Sequence, residues 1–124
     1  PDLRDRVVLR PGYLPANRTA ALLAEHDVLT LTYRTATASQ NVTLAHAHGM
    51  PVLATTVGTF GEQVRDGVDG LLAPPDDVPA LRQALRRLVR DETLETLFRG
   101  VPVPDLDLPW QRYLDALFAA GGTA

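Results

Sequence analysis

The chain has 124 residues, 45% of them apolar and 22% charged, with a formal net charge of −3, the make-up of one folded globular domain and not of a disordered chain. All twelve basic residues are arginines scattered along the sequence, which argues against nucleic acid as a partner, since such a surface needs clustered basic charge. No cysteine is present, so disulfide frameworks and thiolate metal sites are excluded; no run approaches the ~18 apolar residues of a membrane span, and a cytoplasmic setting is expected.

In chain order, Arg6-Val7-Val8-Leu9 is a short β-branched run stopped by Pro11-Gly12 and reads as a first strand. Pro15 to His26 has a helical apolar pattern in Ala20, Leu22, Leu23 and Ala24, with His26 at its C-terminus. Asp27–Tyr33 alternates as a second strand. After a polar loop, a helix is expected over Ser39–His48, presenting Val42, Ala45 and Gly49 to a sheet with Leu44 and His48 beside them; Gly49 ends it. Pro51–Thr55 is a third strand, with its proline at the first position, where a missing N–H does least harm. Val57-Gly58 opens a loop into a short helix near Gly61–Arg65.

Asp66-Gly67 and Asp69-Gly70 lead into a fourth strand, Gly70–Pro74. Pro75, Asp76 and Asp77 cap a long amphipathic helix with an apolar stripe of Leu81, Leu85, Leu88 and Val89. Weaker helical signal covers Glu92–Arg99. The three-proline stretch Val101–Pro109 is extended, and Trp110–Ala119 is a closing helix that packs Trp110, Tyr113, Leu114 and Leu117. We divide the chain into a Rossmann-like part, 1–100, and a closing segment, 101–124.

Strands alternating with helices predict an α/β fold with a doubly wound parallel sheet, because each parallel return needs a crossover. Ligands of such sheets sit outside the carboxyl ends of the strands. The expected site loops are therefore 11–14, 33–40 and 56–62.

The segments Val7–Pro15, Asp27–Arg34, Gly49–Thr55, Val57–Glu62 and Asp66–Asp77, in this order and with these gaps, resemble the donor domain of the group 1 (family 4) retaining glycosyltransferases of the GT-B fold. No single segment is specific; their succession is. The resemblance runs over roughly residues 5–90 and implies the later part of a C-terminal nucleotide-sugar-binding domain. It also implies a preceding acceptor-binding domain and a first strand–helix–strand unit with a phosphate-binding cation, both outside this sequence. Such a piece is expected to be inactive alone and, with an inner strand left as an edge, to self-associate. The chain opens on Pro1 without a basic-then-apolar leader, so no signal peptide is expected and a part of a longer protein is.

In that family the helix after the second of these strands points its N-terminus at the donor diphosphate, where free N–H groups favour an anion. The place is filled here by Thr35-Ala36-Thr37-Ala38-Ser39-Gln40, with hydroxyls on Thr35, Thr37 and Ser39; Thr37 or Ser39 also suits a plain helix cap. The family's two glutamates eight positions apart correspond to Ala36 and Leu44. The loop looks closer to a subgroup reading Tyr-Arg-Ser-Ala-Thr-Gln-Ser-Gly, but Ala38 and Gln40 replace its Gln and Gly.

Gly58 and Glu62 match the family's Gly-Gly-x-x-Glu segment, with Thr59 at the second glycine. Glu62 serves equally to cap the short helix after it. Gly12 and Tyr13 fall where the family holds the nucleotide base, although Tyr13 also suits simple packing. No catalytic residue is assigned.

His46 and His48, two apart on a helix, face different ways and cannot chelate one ion as an i, i+4 pair would; no metal is expected. There is no Gly-x-Ser-x-Gly elbow for a serine hydrolase and no Gly-x-Gly-x-x-Gly for NAD, so no cofactor is expected. The leading expectation is transfer of a sugar from a nucleotide diphosphate sugar to an unknown acceptor. A degenerate, non-catalytic folding or interaction module is the alternative, suggested by Ala36 and Leu44. A sugar-nucleotide epimerase ranks third, for want of placeable catalytic carboxylates and histidine.

Overall fold

The computed structural model describes residues 3–37, 39–102, 112 and 114–119. Its elements are α1 (Ala16–Glu25), β1 (Leu29–Leu31), α2 (Asn41–Ala47), β2 (Val52–Thr55), α3 (Phe60–Gln63), β3 (Gly70–Ala73), α4 (Val78–Leu88) and α5 (Asp91–Gly100). Residues 114–119 are helical, as expected for the closing segment, while Trp110 and Tyr113, expected to pack there, lie outside the described residues.

The sheet is parallel throughout, in the order β1-β2-β3. Leu29 pairs with Val52 and Leu31 with Ala54 on one side; Val52 pairs with Gly70 and Thr55 with Ala73 on the other. Successive side chains of a strand point to opposite faces, so β2 supplies two cores at once. Val52 and Ala54 join Leu23, Leu31, Val42, Ala45, Phe60 and Val64 on the face covered by α2 and α3. Leu53 joins Leu71, Ala84 and Leu97 on the face covered by α4 and α5. All four residues of β2 are buried, the pattern of a parallel strand covered on both sides. The α/β, parallel, doubly covered class expected from the sequence is the class observed.

Local chemistry explains where the helices begin and end. The Asp77 side chain accepts a hydrogen bond from the Ala80 N–H at 2.9 Å and caps α4, which also carries a proline in its first turn. Gly49, at φ +70°, ends α2 in the left-handed conformation that glycine adopts without strain.

Three sequence expectations are corrected. Arg6–Leu9 forms no strand: residues 7–10 are irregular, and Val8 and Leu9 are 74% and 85% exposed. In the six-stranded doubly wound order 3-2-1-4-5-6, strands 3 and 4 follow one another in the chain but have two other strands between them in the sheet. Among the described residues nothing fills those two places, so Val7–Leu9 has no ladder to join. Second, α2 starts at Asn41 and turns Leu44 outward; Val42 and Ala45 are the residues it buries. Third, the inner face of α4 is Leu81, Ala84 and Leu88, whereas Leu85 and Val89 are exposed.

At the amino end of the sheet, Asp69 is almost fully buried and fixes the approach to β3. Its carboxylate accepts from the Arg65 N–H at 2.8 Å and from Arg65 Nε at 2.9 Å. The same guanidinium donates through an Nη to the Gly100 carbonyl at 3.0 Å, fastening the end of α5 to that loop. Hydrogen bonds to a charged group contribute about 1.5–3 kcal/mol each when their loss leaves buried partners unmet. Asp69→Ala is therefore expected to lower unfolding free energy by about 2–4 kcal/mol in urea denaturation; a loss under about 0.5 kcal/mol would show that the clamp is dispensable.

The outer edge of β1 is unpaired among the described residues, and exposed Val8, flanked in the chain by exposed Val7 and Leu9, lines the same hollow as Leu29 and Thr30. An open edge beside apolar surface favours association. The 124-residue chain should run as a dimer or larger species in size-exclusion chromatography with light scattering, and a monomeric peak at all concentrations would refute this.

Candidate functional site

The loops at the carboxyl ends of β1 and β2 are drawn together by two contacts, and a third ties Tyr33 to the start of α2. Thr55, the last residue of β2 and buried, donates its hydroxyl proton to the Tyr33 carbonyl at 2.6 Å, extending the tie between the strands beyond their ladder. The Tyr33 ring lies 5.4 Å from the buried ring of Phe60, tilted by 45°, and its hydroxyl accepts from the Asn41 side-chain amide at 3.2 Å. Tyr33 thus joins the start of α2 to the start of α3.

Gly58 makes the closest approach. Its φ is +53°, and a Cβ there would lie 2.5 Å from the Ala36 carbonyl oxygen and 3.0 Å from that of Thr37. Both the left-handed backbone and the lack of room require glycine. The loop 56–59 therefore rests directly on the backbone of 36–37, and the carboxyl edge of the sheet presents main chain and small polar side chains.

Within this arrangement the sequence-derived residues separate. Thr35 and Thr37 are exposed on the loop after β1, with Ser39 half-buried beside α2. The Ser39 hydroxyl accepts from the Asn41 N–H at 3.2 Å and so meets one of the free donors of the helix start. Gln40 is the residue before α2, exposed and without a side-chain cap. Gly58 and the loop 35–37 are brought together; Gln40 and Ser39 follow on the same loop.

Glu62 is exposed in the first turn of α3. The Thr59-x-x-Glu62 spacing suits a capping box, yet no side-chain cap bond forms at α3, and the Thr59 hydroxyl is buried without a partner among the described residues. Gly12 and Tyr13 are not brought in by packing: Gly12 sits at φ +108° with open space about it, and Tyr13 is 93% exposed. They belong to the segment whose ladder partners are missing, which accounts for their separation.

Sequence reasoning passed over two features. Arg34, next to Tyr33, forms an ion pair from its Nε to Asp76 Oδ1 at 3.2 Å, linking the loop after β1 to the loop after β3. Asp76 holds φ +57°, a left-handed conformation uncommon for a residue with a side chain. The only warning in the sequence was an arginine and a non-glycine turn residue at two strand ends. At the amino end, His46 Nε2 is buried without a hydrogen-bond partner, 3.9 Å from Asp69 Oδ1; it serves the foundation of the sheet, away from the site loops. His48 faces solvent and its Nδ1 lies 2.9 Å from the Leu44 carbonyl. No group of three metal-ligating side chains occurs among the described residues, and no described helix is long and apolar enough to cross a membrane.

Gly58→Ala would place a Cβ against the Ala36 carbonyl in a left-handed backbone. The expected outcome is a folded protein destabilised by about 1–3 kcal/mol, with exchange protection lost in residues 34–40 by amide hydrogen exchange. Unchanged protection there would show that the two loops do not depend on each other.

Comparisons with known proteins agree with this architecture. The structure is similar to sucrose-phosphate synthase from Thermosynechococcus elongatus, with a TM-score of 0.69 and 27% identity over 95% of this chain and 32% of that one. It is also similar to Anabaena HepE in complex with UDP, with a TM-score of 0.55 and 26% identity over 64% of this chain and 22% of that one. In sequence, 51 residues are 47% identical to an exopolysaccharide phosphotransferase of Streptomyces coelicolor, covering 40% of this chain and 5% of that protein. The chain thus spans a third or less of each of these relatives. Residues 2–91 match the family described as Glycosyl transferases group 1; with a parallel sheet like that of GT-B glycosyltransferases, the chain belongs to that family.

Proposed function

We propose that this chain forms the donor-binding wall of a retaining family 4 glycosyltransferase. In this reading it takes a nucleotide diphosphate sugar at the carboxyl edge of its sheet, and the acceptor-binding domain comes from outside these 124 residues. The observation that carries the reading is the close approach of Gly58 in the 56–59 loop to the backbone of Ala36 and Thr37 at the strand ends, in a chain of the glycosyltransferase group 1 family. Ligands of doubly wound sheets bind at that edge. The UDP bound by the structural relative HepE supports a nucleoside diphosphate as the leaving group.

Thr35, Thr37 and Gln40 offer donors to the diphosphate, and backbone near Gly58 can approach it without side-chain obstruction. Ser39 sets the start of α2 through its bond to Asn41. Glu62, Gly12 and Tyr13 complete the proposed pocket once the neighbouring strands position them. The chain's part in the reaction is to hold the donor and stabilise charge developing on the departing diphosphate, with preorganised donors supplying the electrostatic gain. The absence of cysteine suits a cytoplasmic enzyme. No cofactor is required by this reading.

One observation favours the non-catalytic alternative: Ala36 is half-buried and Leu44 is 37% exposed, so neither carboxylate implied by the family resemblance is present. A calorimetric titration of the full-length protein with UDP, GDP and ADP separates the two. Saturable binding of one of them, reduced at least ten-fold by Ser39→Glu, is expected for a donor site. An acidic residue at a helix start is favourable for folding, so the variant should keep its melting temperature. A folded full-length protein that binds none of the three would establish the interaction module instead.

A further inference from the structure

The loops leading from the carboxyl ends of β1, β2 and β3 to the following helices contain a single cationic side chain, Arg34. The same loops carry Asp76 and Asp77, and Glu62 follows shortly after. An anionic ligand arriving at this edge meets more negative than positive charge, and its affinity depends on how that one guanidinium is used.

Asp77 is already committed, because its carboxylate caps α4 at Ala80. Asp76 is committed to Arg34, in an ion pair from Nε to Oδ1 at 3.2 Å. A guanidinium presents five N–H groups in a planar fork. Nε is the atom paired with Asp76, no other carboxylate is paired with this guanidinium among the described residues, and the Arg34 side chain is 85% exposed. The terminal Nη pair is the edge of arginine that matches two oxygens of a phosphate.

The backbone supports the same use. Asp76 keeps φ +57°, a conformation that costs free energy for a residue with a Cβ and that concentrates at functional positions. An exposed ion pair contributes little to stability, so stability alone gives a weak reason for holding Asp76 in this conformation. It does bring the carboxylate of the loop after β3 across to Arg34 in the loop after β1.

We infer that Arg34 contacts the diphosphate of the donor through its terminal Nη pair and that Asp76 is the positioning residue that aims it. This rests on the donor-binding reading above. Arg34 is then the cation that this part of the chain contributes to the leaving group. Asp76 acts only through Arg34.

The experiment is calorimetry on the full-length protein with UDP, GDP and ADP, followed by the monophosphate and nucleoside of whichever base binds. It compares wild type, Arg34→Gln, Asp76→Asn and the double variant; asparagine tolerates the left-handed backbone at position 76. We expect Arg34→Gln to weaken the diphosphate roughly ten-fold or more, to weaken the monophosphate less and to leave the nucleoside unchanged, with a flatter dependence on salt. Asp76→Asn should weaken the diphosphate several-fold in the wild-type background and have no effect when Arg34 is already replaced.

Diphosphate binding unaltered by Arg34→Gln would overturn the inference and leave the donor reading standing, as would equal weakening of diphosphate and nucleoside. Tighter binding by Asp76→Asn would show that Asp76 competes with the ligand, and would overturn its positioning role. If folded wild type binds none of the three nucleotides, the donor reading fails and this inference fails with it.

Discussion

The sheet and the helices α2 to α5 are organised by the burial of four consecutive residues, Val52–Thr55. They have a strand on each side and helices over each face. Their backbone polar groups have no access to water, so both ladders must form for the burial to be favourable. Side-chain alternation then decides which helix goes where: Val52 and Ala54 recruit α2 and α3, and Leu53 recruits α4 and α5. Thr55 closes the strand with the one polar side chain, and the Tyr33 carbonyl meets its hydroxyl. The same residue that ends the core therefore begins the site.

From that point outward the chemistry becomes local. Tyr33 serves three neighbours through three parts of its structure, carbonyl, ring and hydroxyl. Gly58 lets one loop lie on another. Arg34 and Asp76 reach across the end of the buried strand. The site edge is thus assembled from loops braced against one another, as expected where a scaffold presents variable connections at the carboxyl ends of its strands.

Much of this was legible from the residues. The three strands of the sheet, the helices between them, the Asp77 cap and the stop at Gly49 follow from period, turn chemistry and capping. The misplaced side chains share one physical origin. Hydropathy favours Leu44, Leu85 and Val89 for the inner faces of α2 and α4, but α2 buries Val42 and the small Ala45, and α4 buries the small Ala84. A helix lying close on a sheet needs little volume at its line of contact, and a pattern of apolar residues does not record that distance. Val7–Leu9 failed as a strand for another reason: β-branched residues fit a ladder, and among the described residues no strand offers them one. At the site, Gly58 and the Thr35–Gln40 loop could be singled out in advance. The Arg34–Asp76 pair could not, because 42 positions of chain separate two residues that only the fold makes neighbours.

The order of the strands in the sheet is the order of the strands in the chain. The sheet therefore grows at one edge, each βα unit docking against the unit made just before it. Contacts of this kind span only one crossover, which keeps loop-closure entropy low and assembly quick. During synthesis, β2 emerges when β1 is already available, and β3 when β2 is. The edge of β1 that has no partner among the described residues is then the oldest edge of the sheet, made before any strand that could cover β2 or β3. Of the two edges it is the one exposed longest during synthesis, and so the one with most time to meet another molecule.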